Sequence, residues 1–288
     1  MHLAMLLVAA VLVILVRVVA LHSQPSLSYG SVLAHFAVPP LVLLMTAIAI
    51  VAMGGQGEML GIAVGQGSYG LAGFFLGLSL ILLGKRLFQT GQTLLKLQDC
   101  PPLTLENEPL RLLAIAFPYS AQIGLGTSQL VVSQGLLELL DQEHLRAVVA
   151  HEKAHAHYGD SFWFFWWGWL RQLTPWLPYS ESLWQELLLL REMRADQWAI
   201  SQQGLDPLVL AEALTQVAQA VHRQNFAEPS WELAMPFHQH QQRFLVRING
   251  LIEPDRSAGL VRSYSRLHLL ALFSLTLIPL IFLPLHYG

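Results

Sequence analysis

The sequence predicts a mostly α-helical integral membrane protein, in which about four transmembrane helices accompany an α+β domain with a small β-sheet. Hydrophobic residues make up 54% of the 288 residues and charged residues only 12%, whereas soluble chains carry about a quarter charged residues. The deficit lies at the amino-terminal end, since residues 1–84 contain only two charged side chains, Arg17 and Glu58. A more polar segment, residues 88–265, then precedes a last apolar run.

Four apolar runs approach the ~20 residues that cross the hydrocarbon core of a membrane as an α-helix. We therefore expect three transmembrane helices within residues 1–87, a soluble domain over 88–265 and a fourth transmembrane helix within 266–288. The alternative for the first run is a cleaved signal peptide. The run lacks the positively charged start of such a peptide and is unusually long for one, which favours a retained span. The four runs are Leu3–Leu21, Ser31–Met53, Tyr69–Leu83 and Leu267–Leu285.

The charges beside these runs predict the orientation. Lys and Arg collect in cytoplasmic flanks, and the loop at 54–68 contains neither residue. The domain at 88–265 is therefore expected in the cytoplasm, with the chain's two ends on the opposite side. A net charge of −3 and the lack of a basic block argue against a nucleic-acid partner. The charges that decide the orientation are Lys85, Arg86, Lys96, Arg256, Arg262 and Arg266.

Short strands and strong helices alternate in the polar segment. Leu112–Phe117 and Gln129–Ser133 are apolar runs between turn residues, which is typical of short strands. A helix is predicted from an Asp141 N-cap to about Tyr158, because apolar positions recur at helical spacing. Further helices are expected over about 182–203, where Gly204 supplies the stop signal, and over about 206–224.

An aromatic run, Phe162–Leu170, reads FWFFWWGWL. Nine residues are too few to span a bilayer. Tryptophan prefers the headgroup level, so we expect this segment to touch the bilayer surface or to pack against the transmembrane helices. The alternative is a buried aromatic core.

The pattern H-E-x-x-H occurs at His151, Glu152 and His155, inside a predicted helix. Residues four apart lie on one face of a helix, so both imidazoles can reach a single Zn²⁺ ion. Glu152 then lies beside the metal, where it can remove a proton from a metal-bound water as general base. The alternative is a polar helical face with two unremarkable histidines.

A third ligand is predicted on the next strong helix. A catalytic zinc needs three protein ligands and keeps one position for water. Glu192 and Asp196 lie one turn apart in an otherwise apolar run, so Glu192 can bind the metal while Asp196 accepts the free ring N–H of a ligand histidine. An exposed face, with Arg191 and Arg194 as ion-pair partners, is the alternative.

H-E-x-x-H followed by E-x-x-A-D on a later helix resembles the gluzincin-type membrane metallopeptidases. Two branches are similar, the BlaR/MecR-type sensor proteases and the HtpX and prenyl-protein protease family. The run Val131–Leu137, the zinc helix and Asp160 resemble both, and three spans before the domain with one after it are closer to the BlaR/MecR arrangement. This resemblance covers about residues 110–205 and implies a zincin-like protease domain in a bacterial inner membrane.

The resemblance also implies roles for single residues. His151, His155 and Glu192 would bind one zinc ion, Glu152 would act as general base, and Asp196 would orient His151. Gln129–Ser133 would be the strand that pairs with an extended substrate. The chain ends after the fourth predicted span without an extracellular penicillin-binding domain, which argues against β-lactam sensing.

The expected activity is therefore zinc-dependent hydrolysis of peptide bonds in a polypeptide substrate. The BlaR/MecR resemblance favours regulatory cleavage of a cytoplasmic or membrane protein, and the HtpX resemblance favours quality control of membrane proteins. A zinc-binding signal transducer without proteolysis is a third reading. The oligomeric state is left open by the sequence.

Two further features bear on the site. An oxyanion stabiliser is expected, for which His238 and His240 are the best candidates in sequence. The only cysteine, Cys100, is either a linker residue or a thiolate that can occupy the open zinc position and keep the enzyme latent.

Overall fold

A computed structural model shows a mostly helical chain with a small mixed β-sheet, which confirms that part of the predicted fold class. It describes residues 2–22, 28–224, 240–253 and 266–287, apart from 57, 60–61, 64–65 and 106. The chain forms two compact units. The first contains Met1–Phe88, Trp166–Leu188 and Arg262–Gly288, and the second contains Gln89–Phe165 and Leu189–Val261.

The first unit begins with helices α1 (His2–His22) and α2 (Tyr29–Met53), followed by α3 (Gln66–Gln98), which continues into the second unit. By length and composition alone, α2 and α3 are apolar enough to cross a membrane. The described apolar part of α1 is shorter. Four transmembrane helices therefore stay a prediction.

Helix α2 is continuous through Pro39 and Pro40. Proline has no backbone N–H, so Pro40 cannot bond to the carbonyl of Phe36 four residues earlier. Arg17 of α1 supplies the missing donor, since its Nη2 donates to Phe36 O at 3.0 Å. Its guanidinium carbon also lies 5.7 Å from the centroid of the Phe36 ring. The Arg17 side chain is fully buried.

The predicted fourth span is not one α-helix. A short helix, α10 (Arg266–Leu275), is followed by a 3₁₀ helix over Ile278–Leu285. Ten residues of α-helix extend about 15 Å, half of the hydrocarbon thickness. Pro279 explains the change, because it cannot donate to the preceding turn.

Small strands close the first unit. β1 (Glu58–Met59) lies between β2 (Ile62–Ala63) and β7 (His286–Tyr287), and both pairings are antiparallel. The carboxy-terminal residues are thus paired with the connection between α2 and α3.

The sheet of the second unit has four strands in the order β3-β4-β6-β5. β4 and β6 are parallel, and the outer pairs are antiparallel. β6 agrees with the predicted strand, whereas the strand predicted at Leu112–Phe117 begins four residues earlier and ends at Leu113. The strands are β3 (Pro102–Leu105), β4 (Glu108–Leu113), β5 (Ser120–Ile123) and β6 (Gln129–Ser133).

Helices follow the sheet. The Asp141 carboxylate accepts from His144 N at 3.0 Å and caps α5, and Gly159, with φ of 64°, ends it in the left-handed conformation that favours glycine. The predicted helix to Tyr158 is confirmed. The helices are α4 (Gln134–Leu139), α5 (Gln142–Tyr158), α6 (Asp160–Leu173), α7 (Ser180–Gln203), α8 (Pro207–Gln224) and α9 (His240–Ile252).

A hydrophobic core fixes α5 against the sheet. Leu130 and Val132 of β6 form one buried cluster with Leu145, Val148 and Val149 of α5. Glu152 follows Val149 by three residues and Val148 by four, so it continues this face of α5 and reaches the sheet, where Ser120 of β5 contacts it.

The aromatic run forms helix α6 and is buried in part. Trp167 and Leu170 are buried in the first unit, where Trp169 Nε1 donates to Ser79 O of α3 at 3.0 Å. Phe162 and Trp163, in the second unit, are exposed. Phe164 and Phe165 are buried as well. The contact of Trp169 with α3 agrees with the expected packing against an apolar helix, and contact with a bilayer stays a prediction.

Candidate metal centre

Three side chains from two helices of the second unit converge on one point. His151 and His155 lie one turn apart on α5, and Glu192 lies on α7. The Nε2 atoms of the two histidines are 3.1 Å apart. Glu192 Oε2 is 3.4 Å from the first of these nitrogens, and Oε1 is 3.7 Å from the second. The sequence-predicted ligand set is therefore brought together.

These separations fit a zinc ion. Zinc bonds of about 2.0–2.1 Å in a tetrahedral arrangement place neighbouring ligand atoms about 3.3 Å apart, and the three distances bracket that value. Two imidazole nitrogens and one carboxylate oxygen are also a donor set found in catalytic zinc sites. His151 and His155 are buried and Glu192 is partly buried.

Each imidazole is oriented by a carboxylate on its far nitrogen. His151 Nδ1 lies 2.8 Å from Asp196 Oδ1, and His155 Nδ1 lies 2.7 Å from Asp160 Oδ2. A carboxylate at Nδ1 keeps the proton there and leaves the Nε2 lone pair for a metal. The position of Asp196 agrees with the role implied by the family resemblance.

Three of the four carboxylates of the site bind arginines. Arg194 pairs with Asp160 and lies over the Tyr158 ring. Arg191 donates to Glu192 Oε1, from Nε at 2.9 Å and from Nη2 at 2.5 Å.

Arg247 of α9 binds two of the same carboxylates. Its Nε and Nη2 donate to Asp196 at 2.9 and 2.8 Å, and Nη1 lies 3.2 Å from Glu192 Oε2. This residue was missed in the sequence. Fifty-one positions separate it from Asp196, and no local pattern marks an arginine in an amphipathic helix as a site residue.

The arginines determine the charge of the site. Burial alone would raise the pKa of Glu192, but the charges of Arg191 and His155, the hydrogen bond from His151 and the charge of Arg247 hold it well below its usual range. The pKa of Asp196 is lowered in the same way, mainly by Arg247 and then by His151, against the effect of burial.

The two carboxylates change the pKa of His151. Burial alone would lower the pKa of His151, but the hydrogen bond and charge of Asp196, with a further hydrogen bond to Glu192, raise it to about 9. The pKa values of Glu192 and Asp196 lie below their usual range, so both carboxylates are anionic at neutral pH, as a cation-binding site requires.

Glu152 has a different environment. It is buried, with 5% of its surface exposed. Ser120 Oγ donates to Glu152 Oε1 at 2.8 Å, whereas Oε2 has no hydrogen-bond partner among the residues that the structure describes. Arg247, which binds Asp196 and Glu192, also acts on the Glu152 carboxylate through its charge. Among the four carboxylates, Glu152 is the one whose hydrogen-bond donor within the described residues is a neutral hydroxyl.

Ser120 lies on β5, which is an edge strand of the sheet within the described ranges. Ser133 N donates to Tyr119 O, so Tyr119 and alternate residues after it face β6. The backbone N–H and C=O of Ser120 and Gln122 consequently point outward. Gln122 O accepts from Ser161 Oγ at 2.6 Å, in agreement with this assignment.

The implied substrate strand must be corrected. Gln129–Ser133 is β6, which is paired on one side with β4 and on the other with β5. A strand with both edges occupied cannot accept a third partner. Among the described strands, β5 lies beside Glu152 and is paired with another strand on one side only, with Gln122 O on its other side accepting from Ser161.

Of three further sequence-predicted candidates, Cys100 is the one whose side chain the structure describes. His238 lies outside the described residues, and so does the side chain of His240, so the proposed oxyanion role of both stays a prediction. Cys100 packs against Leu97 and Leu113 beside the sheet, and its Sγ lies 3.7 Å from Lys96 O. The metal-ligand group of the described residues does not include Cys100.

The chain matches the model of peptidase family M48 over residues 119–186. The match begins at β5, includes the whole H-E-x-x-H helix and Asp160, and ends before Glu192. It supports a zinc-dependent metallopeptidase and does not distinguish the BlaR/MecR-type branch from the HtpX-type branch. No curated protein and no solved structure matches the chain.

Proposed function

We propose that the chain is a zinc-dependent membrane endopeptidase that hydrolyses peptide bonds of polypeptides. One observation carries the proposal: three ligand atoms converge at zinc spacing directly beside a buried carboxylate that has a free oxygen. The match to a peptidase family over the same helix supports it independently. A transducer that only binds zinc would have no use for such a carboxylate at this position.

The residues supply the parts of a hydrolytic reaction. His151, His155 and Glu192 would hold the zinc ion, which when bound polarises the scissile carbonyl and lowers the pKa of water from about 15.7 to about 7. Glu152 accepts the proton of the attacking water on Oε2 and passes it to the leaving amine. Asp196 and Asp160 keep the two imidazoles in the orientation that binding requires.

We infer that the substrate is bound in extended form along β5. The outward N–H and C=O of Ser120 offer main-chain hydrogen bonds to a polypeptide, which is how strand addition recognises a chain without regard to sequence. Such a mode suits a protease acting on a cytoplasmic regulator or on damaged membrane proteins.

Removal of the metal tests the activity. We expect 1,10-phenanthroline to abolish cleavage of casein by the purified full-length protein, and one equivalent of Zn²⁺ per chain to restore it. Metal content by plasma emission spectrometry and fragments by mass spectrometry are the measurements. Cleavage that persists in the metal-free protein would exclude a metallopeptidase and point to a contaminating hydrolase.

The membrane setting is also part of the proposal. Four apolar runs and the Lys and Arg residues beside them support a bacterial inner-membrane protein with its protease domain in the cytoplasm.

Reporter fusions test this topology. Alkaline phosphatase joined after residue 60 or after residue 288 should be active, because it folds only outside the cytoplasm, whereas a fusion after residue 224 should be inactive. The fusion after 224 is the matched control, since it carries the same reporter on the same chain. An inactive fusion at 60 or 288 would overturn the proposed orientation.

A further inference from the structure

We propose that Ser120 is a positioning residue, whose hydroxyl holds one oxygen of Glu152 so that the other oxygen faces the reacting water. This inference rests on the proposed peptidase function. It assigns a role to a side chain that no sequence motif marks.

The contact itself is specific. Ser120 Oγ donates to Glu152 Oε1 at 2.8 Å, across 32 positions of sequence. The second oxygen, Oε2, is buried and has no hydrogen-bond partner in the described part of the chain. A carboxylate held at one oxygen by a single donor cannot rotate freely, so the oxygen that remains open is always the same one.

The chemical nature of the donor matters as well. Asp160, Asp196 and Glu192 are held by arginines. A nearby positive charge stabilises a carboxylate and makes it a weaker proton acceptor. A hydroxyl orients the group without adding a charge, which is what a base requires.

The position of Ser120 links the base to the substrate. Its side chain points to Glu152 while its backbone N–H and C=O lie on the open edge of β5. A polypeptide that pairs with this edge would therefore be aligned by the same residue that orients the base. Proximity and orientation of this kind are a large part of catalytic power.

The test uses the zinc-loaded full-length protein and two measurements. The first is kcat and KM on a quenched fluorescent peptide. The second is the calorimetric Kd of a phosphinic peptide, whose tetrahedral phosphorus imitates the transition-state geometry of hydrolysis. The variants are Ser120→Ala, Ser120→Thr, Glu152→Gln and the Ser120→Ala/Glu152→Gln double variant. Ser201→Ala, an exposed serine of α7, makes the same chemical change away from the site.

We expect Ser120→Ala to lower kcat about tenfold with little change in KM, and to weaken phosphinic-peptide binding about tenfold, the effect of one hydrogen bond to a charged group. Threonine keeps the hydroxyl and should restore both values. In the Glu152→Gln background the alanine change should alter the Kd less than twofold, because Ser120 then donates to a neutral amide and no longer to a charged carboxylate. Zinc content and melting temperature should match the wild type in both Ser120 variants.

Other outcomes would overturn the inference in distinguishable ways. A wild-type protein that neither cleaves the peptide nor binds the phosphinic peptide would remove the proposed function, and this inference with it. Wild-type activity together with an unaffected Ser120→Ala variant would remove the inference alone. A Ser120→Thr variant as impaired as Ser120→Ala would also remove the inference alone. The same holds if the alanine change weakens phosphinic-peptide binding as much in the Glu152→Gln background as in the wild type.

Discussion

Replacement of Glu152 by glutamine should abolish peptide hydrolysis and leave the bound zinc in place. Glutamine has the same shape and its amide oxygen can still accept from Ser120, so the local structure should persist. It cannot accept a proton from water at neutral pH. General-base catalysis contributes about 10²–10⁴-fold to rate, and we expect a loss of at least about 1,000-fold in kcat/KM.

The experiment needs zinc content and cleavage from the same preparation. Glu143→Gln is a matched control, because it makes the same change on an exposed residue in the first turn of the same helix, and it should behave as wild type. Hydrolysis by Glu152→Gln within tenfold of the wild-type rate would mean that another group accepts the proton. Loss of zinc from this variant would instead give Glu152 a structural part in the metal centre.

Replacement of Glu192 by alanine should remove most of the bound zinc. The change deletes one of three protein ligands and leaves Arg191 without its carboxylate partner, so positive charge accumulates where a cation must bind. Loss of a residue that only supports a ligand costs about 10–100-fold in metal affinity, and loss of the ligand should cost more than about 100-fold.

Competition with a chromophoric zinc chelator measures this affinity. Glu181→Ala, an exposed glutamate in the first turn of the same helix, should keep wild-type affinity. Far-ultraviolet circular dichroism should show an unchanged helix content in Glu192→Ala. Full zinc retention by a folded Glu192→Ala variant would place the third ligand on another residue.

The parts of the site that were predictable depend on helical spacing. His151 and His155 had to share a face, and so did Glu192 and Asp196, once each pair was assigned to a helix. That the two helices would meet was implied by the chemistry of zinc, which needs three ligands, and by the resemblance carried by the two motifs. Asp160 was noted as part of a family resemblance, but its bond to His155 depends on how the chain turns after Gly159.

The parts that could not be predicted depend on tertiary contacts. Arg247 reaches Asp196 from a helix 51 positions away, and Ser120 reaches Glu152 from a strand of four residues. β3 and β5 are short and contain one β-branched residue each, so neither carries a clear strand pattern. The sequence did not predict the start of β4, because Glu108, Pro109 and Arg111 are unusual in a strand.

The contact between Arg17 and Phe36 has a consequence for how the chain is made. A lone helix with an arginine near its end is disfavoured in lipid by up to about 3 kcal/mol. Within the described residues, the acceptor of Arg17 lies on α2, where Pro40 leaves the carbonyl of Phe36 without a helical donor. In the proposed bilayer, the first helix to leave the ribosome is thus completed by the second, and the two enter as a hairpin. A substitution at Pro40 would therefore impair membrane insertion of these two helices, before any zinc is bound.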